Sequence, residues 1–216
     1  MKKLNMHMEK ITKSYTKLDG SREVLKCVHY NKEYNRIECC DSHRLIMYKS
    51  EVENDTMINL DTLEMKTGLE YPDVERLVPK GYGYVLDIKQ FDVDTLARLK
   101  KSVRVEKENL KKGIVPFEGG LFKMSLCEDK ESFVISNGVD EASIELKIKE
   151  FESSREEFRE THFNQKYLIE LFDFIKDYTK EFPEETDIMV STKGWIRSTH
   201  LKTDKFSYTI TPVRKR

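Results

Sequence analysis

The chain has 216 residues, enough for one large domain or two small ones of the usual ~100–150 residues. Charged residues make up 36% and hydrophobic residues 38%, which is the profile of a soluble protein with a modest core and a heavily charged surface. The 38 Lys and Arg nearly cancel the 39 Asp and Glu, so indiscriminate coating of nucleic acid is excluded, whereas binding through lysines gathered on one face is not.

No apolar run approaches the ~20 residues that span a bilayer, so no membrane partner is expected. The start, Met1-Lys2-Lys3-Leu4-Asn5-Met6-His7, lacks the apolar centre of a signal peptide, and a cytoplasmic location is expected. Four cysteines (Cys27, Cys39, Cys40, Cys127) are too few for a disulfide scaffold and show no C-x-x-C spacing.

Taken in order, Lys2–Met6 is a candidate strand, and Met8–Leu18 reads as a helix with Met8, Ile11, Tyr15 and Leu18 on one face. Strands are predicted over Val24–Tyr30, Arg36–Cys40 and Leu45–Lys49, joined by short polar loops as in an antiparallel meander. Between the last two lies Cys40-Asp41-Ser42-His43-Arg44-Leu45, a tight turn whose Asp and Ser bond their own backbone. Met57–Met65 alternates as one more strand, and the stretch from Gly68 to Lys80, with two prolines, is an irregular connector.

From Tyr82 onward the same element order occurs twice. In the first copy a strand (Tyr84–Lys89) leads to a helix (Asp92–Val103) capped by Asp92 or Asp94, with Val93, Leu96, Ala97 and Lys100 at 3–4 spacing. Strands follow at Leu121–Cys127, Ser132–Ser136 and Ala142–Ile148, with Asn137-Gly138 as a hairpin signal. In the second copy Phe158–Phe163 is a strand and Asn164 the cap of a helix striped by Tyr167, Leu168, Leu171, Phe172, Ile175 and Tyr178. Ile188–Ser191, Trp195–His200 and Phe206–Thr211 complete it. A repeated element order constrains a fold more than propensity at any one position does.

The five histidines (His7, His29, His43, His162, His200) are scattered without metal-ligand spacing, and no phosphate-loop, dinucleotide or nucleophile-elbow motif occurs. The chain therefore reads as a non-enzyme with neither metal nor cofactor. Lys100, Lys101, Arg104, Lys107, Lys111 and Lys112 form a basic run that is either a solvated face or a set of phosphate contacts.

The turn at 40–45 resembles the T-D-G-H-R-L signature of the bacterial sliding clamp, the beta subunit of DNA polymerase III, with Cys40 at its Thr and Ser42 at its Gly. Tyr71-Pro72-Asp73-Val74-Glu75-Arg76-Leu77-Val78-Pro79 resembles the family's F-P-D-Y-x-R-V-x-P connector. Phe163-Asn164-Gln165-Lys166-Tyr167-Leu168 is similar to its F-N-x-x-Y-L, and Ser207–Arg214 to its closing segment, which ends in Met-Pro-Met/Val-Arg-Leu.

The resemblance implies an α+β fold of clamp-like strand-helix-three-strand units, with antiparallel sheets and helices on one face. It divides the chain into a partial domain (1–67), a connector (68–81) and a complete domain (82–216). It also implies a processivity factor for DNA replication or repair that binds duplex DNA and short peptide motifs of polymerases and the clamp loader. The peptide pocket would use Cys40, Ser42, His43, Arg44 and Leu45 of the turn, Pro72, Arg76 and Leu77 of the connector, and Thr209, Ile210, Thr211, Pro212, Val213 and Arg214 of the tail. Arg44, Arg76 and Arg214 would bond peptide carbonyls or an acidic side chain, above an apolar floor of Leu45, Leu77, Ile210, Pro212 and Val213. DNA would meet Lys10, Lys13, Lys17, Lys100, Lys101 and Arg104.

The chain departs from the pattern at Cys40, Ser42, Thr211 and Lys215-Arg216, and nothing in it matches the family's first domain. After Lys49 it passes almost directly to the connector, omitting the second helix-containing unit of the second domain. Family rings line their channel with twelve helices. A chain with three such units would need four copies for a homo-oligomeric ring, and a monomer or open dimer is the preferred expectation. A second reading is a non-ring module or decoy that sequesters clamp-binding peptides without encircling DNA.

Overall fold

The computed structural model describes residues 2–17, 22–114, 120–129, 131–137, 143–151, 160–192 and 198–213. In chain order, α1 (Lys2–Lys17) is followed by β1 (Cys27–Asn31), β2 (Arg36–Cys40), β3 (Arg44–Lys49), β4 (Thr56–Asn59) and β5 (Met65–Lys66). Next come β6 (Tyr84–Asp87), α2 (Val93–Lys111), β7 (Leu121–Leu126), β8 (Ser132–Ser136) and β9 (Ile144–Phe151). The last elements are β10 (Glu160–Asn164), α3 (Gln165–Glu181), β11 (Asp187–Ser191), β12 (Thr199–Lys202) and β13 (Phe206–Ile210). The architecture is α+β, built of antiparallel ladders and the three helices.

Two compact units emerge, one of Met1–Lys80 with His200–Thr209, the other of Gly81–Thr199 with Ile210–Arg216. The first has the strand order β12-β13-β3-β2-β1-β4-β5. The segment His200–Thr209, which the element order assigns to the domain at 82–216, groups with this unit because β13 pairs with β3.

Lys2–Met6 is not a strand but the opening of α1. Leu4, Met8 and Ile11 recur at helical spacing and are all buried, each contributing roughly 1.5–3 kcal/mol. Cys39 Sγ reaches the Met8 carbonyl at 3.9 Å and so links the sheet to this helix. The expected strand at Val24–Tyr30 begins late, because Glu23–Lys26 forms a 3-10 turn that buries Leu25. Met57–Met65 is likewise a hairpin rather than one strand. Asn59 Oδ1 accepts from the backbone N–H of Asp61 (2.9 Å) and Thr62 (3.3 Å), which turns the chain and returns it as β5.

The second unit has the order β10-β7-β8-β9-β6-β11. The strand before α2 pairs with the first strand after α3 (β6 with β11), and the strand before α3 pairs with the first strand after α2 (β10 with β7). This reciprocal exchange turns the repeated element order into one structural unit. Both predicted caps form, with Asp92 accepting from the Thr95 N–H at 2.7 Å and Asn164 from the Lys166 N–H at 3.0 Å. The Asn137-Gly138 turn falls partly on residues 138–142, and Trp195 on 193–197, both outside the described residues.

Of the stripe expected on α2, Leu96 is buried and the other three residues are not. Val93, Ala97 and Lys100 are exposed, while Leu96, Leu99, Ser102 and Glu106 face inward. Glu106 lies on the inward face with Leu96 and Leu99. Its carboxylate, 1% exposed, accepts from the Gly120 N–H (2.9 Å), from Asn137 Nδ2 (3.2 Å) and from the Gln165 side-chain amide. Three donors from three segments hold a carboxylate in the core, where sequence alone places a solvated acid.

Candidate functional site

The turn between β2 and β3 is organised by Asp41. Its Oδ1 accepts from the backbone N–H of His43 (3.1 Å) and of Arg44 (2.8 Å), while its own N–H donates to the Arg44 carbonyl at 3.1 Å. Its Oδ2 accepts from Arg44 Nε at 3.0 Å and Nη2 at 2.5 Å, and both side chains have 0% exposure. The Tyr208 hydroxyl hydrogen-bonds Arg44 as well, and burial pushes that phenol well above its ordinary range. Arg44 therefore faces inward and braces the turn instead of presenting its guanidinium to a peptide.

Ser42 and His43 are the exposed residues of this turn. Ser42 has φ +73°, the left-handed region in which a Cβ crowds the following carbonyl. That geometry explains why glycine suits the position in the sequence pattern. Ser42→Gly should raise stability by about 1 kcal/mol, read as a higher denaturation midpoint, unless the turn relaxes out of this conformation.

The connector packs on the same face. Val74 is buried with Leu25, Cys40, Leu45 and Met47, and Tyr15, Val24, Tyr71 and Val78 flank that cluster. Asp73 Oδ1 accepts from the Glu75 N–H at 3.0 Å, starting the 3-10 turn Glu75–Leu77. The Tyr71 hydroxyl donates to Cys40 Sγ at 3.6 Å, and burial raises the Cys40 thiol so that it stays protonated. Leu45 and Cys40 are buried here, 2% and 8% exposed, whereas Leu77, expected in an apolar floor, is exposed together with Arg76, and Pro72 is half-buried.

The tail residues fall into two units. Thr209, in the first, shares a 2.8 Å hydrogen bond with Nδ1 of His200, whose pKa burial lowers to about 4. In the second, Ile210 is buried, Thr211 and Pro212 are half-buried, and the Val213 N–H donates to the His162 carbonyl at 2.7 Å. Arg214 and the side chain of Lys17 lie outside the described residues.

Lys100, Lys101 and Arg104 are exposed on α2, and Lys100, Arg104, Lys107 and Lys111 follow i, i+4, i+7, i+11 as one basic stripe. On α1 Lys10 is exposed, whereas Lys13 is paired with Glu9 and, at 3.1 Å, with Asp61. The side-chain bonds to Glu9 and Asp61 raise the Lys13 pKa. On α3, Lys176 is held by Asp173 at 2.5 Å and Asp177 at 3.7 Å.

The residues that fasten the connector were not visible as a group in the sequence. Arg36 donates to Glu38 at 2.5 Å and reaches Glu75, and His29 sits between Glu38 and Asp55 beneath Tyr71. Their sequence signal is polar residues on alternate positions, His29 and Asn31 on β1 and Arg36 and Glu38 on β2, and the register that pairs His29 with Glu38 is a tertiary fact.

No protein-family model matches the chain, and no curated protein matches it. Solved structures do, and they define the class: the fold is that of the bacterial DNA sliding clamps. The DNA polymerase sliding clamp of Bacillus subtilis superposes with a TM-score of 0.62 at 18% identity, covering 95% of this chain and 63% of that one. The beta subunit of Streptococcus pyogenes DNA polymerase gives 0.62 at 16% identity, with 99% and 64% covered. The DNA polymerase III beta subunit of Thermotoga maritima gives 0.61 at 15% identity, with 97% and 63% covered. The chain thus spans just under two-thirds of the length of the clamps it resembles.

Proposed function

We propose that this chain is a non-catalytic, clamp-like processivity factor. It takes short hydrophobic peptide motifs of polymerases or other replication and repair proteins on the surface made by the 41–43 turn and the connector, while its lysine-bearing helices lie along duplex DNA. Holding a partner near its template raises effective concentration without any chemical step. The observation that carries this reading is the shared core beneath turn and connector, which leaves Leu77, 43% exposed, beside the exposed Arg76. An apolar anchor next to a guanidinium suits a short peptide with one large hydrophobic residue and free backbone carbonyls.

A labelled clamp-binding peptide titrated into wild-type protein and Leu77→Asp tests it. A loss of at least tenfold, about 1.4 kcal/mol, is expected, and unchanged affinity overturns the assignment. In a parallel arm, replacing Lys100, Arg104 and Lys107 with alanine should weaken DNA association and flatten its salt dependence while sparing the peptide. The second reading, a peptide-binding module or decoy that does not engage DNA, is favoured by the neutralised Lys13 and by the carboxylates around Lys176 on α3. Wild-type protein that binds peptide but no DNA at low salt selects it.

A further inference from the structure

Charged and aromatic groups converge where the connector meets the sheet of the first unit. His29 Nδ1 lies 2.8 Å from Glu38 Oε1, and Nε2 lies 3.1 Å from Asp55 Oδ1. The imidazole is 4.7 Å from the Tyr71 ring of the connector, tilted by 32°. Glu38, 1% exposed, also accepts from Asn31 Nδ2 at 3.2 Å and from Arg36 Nε at 2.5 Å, and Arg36 continues to Glu75 of the connector. The connector is thus held to β1 and β2 at two points, Tyr71 on His29 and Glu75 on Arg36.

Donor arithmetic sets the state of the ring. Two carboxylates, which only accept, face both nitrogens, and a neutral imidazole has a single N–H to offer. Both bonds exist only in the imidazolium form, whose charge also attracts the face of Tyr71. On deprotonation the buried Glu38 retains the remaining N–H, and the Asp55 carboxylate, 62% exposed, turns to water.

We propose that His29 is a proton-operated latch that seats the connector on the sheet of the first unit, closed as imidazolium between Glu38 and Asp55 and loosened as the neutral ring. Burial disfavours the charged ring, but the bonds to Glu38 and Asp55 outweigh it and raise its pKa above the ordinary 6.5. Glu38 is held below the usual range, burial being outweighed by His29, Arg36 and Asn31. The groups facing His29 are Glu38 with Arg36 on β2, Asp55 before β4, and Tyr71 and Glu75 on the connector, with the Cys40 thiol behind Tyr71. A raised folded-state value means that the latch contributes fully below the unfolded value and is lost as pH rises through the folded one. On the acid side the bond to Glu38 is lost as pH falls through that group's lowered value.

The consequence for binding rests on the proposed peptide site, since the connector carries Arg76 and Leu77. The latch itself is tested without peptide, by hydrogen exchange of the Leu77 and Val78 amides, which donate to the Val74 carbonyl at 3.0 Å and the Glu75 carbonyl at 2.9 Å. Corrected for intrinsic rates, their protection in the full chain should fall roughly threefold between about pH 6 and pH 8.5, stay flat in His29→Gln, and titrate at lower pH in Asp55→Asn. Flat protection in the wild type, or an unchanged titration in His29→Gln, overturns the latch. Asp55 is exposed, so its variant reads the latch even if His29→Gln does not fold. Peptide affinity measured over the same range should follow the protection curve. Protection that titrates without peptide binding at any pH upholds the latch and overturns the peptide site. Peptide binding with flat protection does the reverse.

Discussion

Replacing Asp41 with alanine should destabilise the protein by about 3–5 kcal/mol, among the largest losses any single substitution in it will produce. The carboxylate does two things at once. Oδ1 holds the backbone N–H groups of His43 and Arg44, and Oδ2 neutralises an arginine that water does not reach. Alanine leaves that guanidinium buried without its counter-charge and opens the turn. Asp41→Asn retains the Oδ1 acceptor and loses the charge, so it should fall between the two. Pairing Asp41→Asn with Arg44→Met removes the stranded cation and should recover part of the loss, because well-packed apolar groups often replace a buried ion pair at little cost. Denaturant titration with a common slope measures all three, and an alanine variant within 1 kcal/mol of wild type would refute the account.

Glu106→Leu is expected to cost at least about 3 kcal/mol, for a related reason with the sign of the charge reversed. The leucine fits a buried helix position, but the Gly120 N–H, the Asn137 amide and the Gln165 amide each lose their acceptor, at roughly 1–3 kcal/mol for a donor left unsatisfied in the interior. The damage should spread beyond α2, since Gly120 precedes β7 and Gln165 opens α3. Faster amide exchange at Gly120 and in the first turn of α3 would report it directly. A leucine variant as stable as wild type, as a gain in helix propensity and apolar burial alone would give, would mean that the three hydrogen bonds contribute nothing net.

Both predictions concern carboxylates that the fold buries. By itself the sequence determined what depends on neighbours within a turn or two. Asp92 and Asn164 begin helices because a short oxygen-bearing side chain can reach an N–H two or three residues on. Asp41 makes its turn by the same short-range bonding, and β2 and β3 are written in the apolar runs on either side of it. The repeated element order, together with the turn, the connector and the helix start at Phe163, was enough to point to the clamp fold.

What the tertiary structure decided was how side chains distant in sequence meet. Arg44 reads as a surface cation until Tyr208, far along the chain, closes over it with Asp41. Of the α2 stripe Val93, Leu96, Ala97 and Lys100 only Leu96 is buried, whereas Glu106 is held inside by donors from three other segments. His29, Glu38, Asp55 and Glu75 come together only because one strand register and one connector path bring them within hydrogen-bonding range. A cap or a turn is decided by bonds the chain makes with itself nearby. The state of a buried charge is decided by partners that arrive from elsewhere, and their arrival depends on the whole fold.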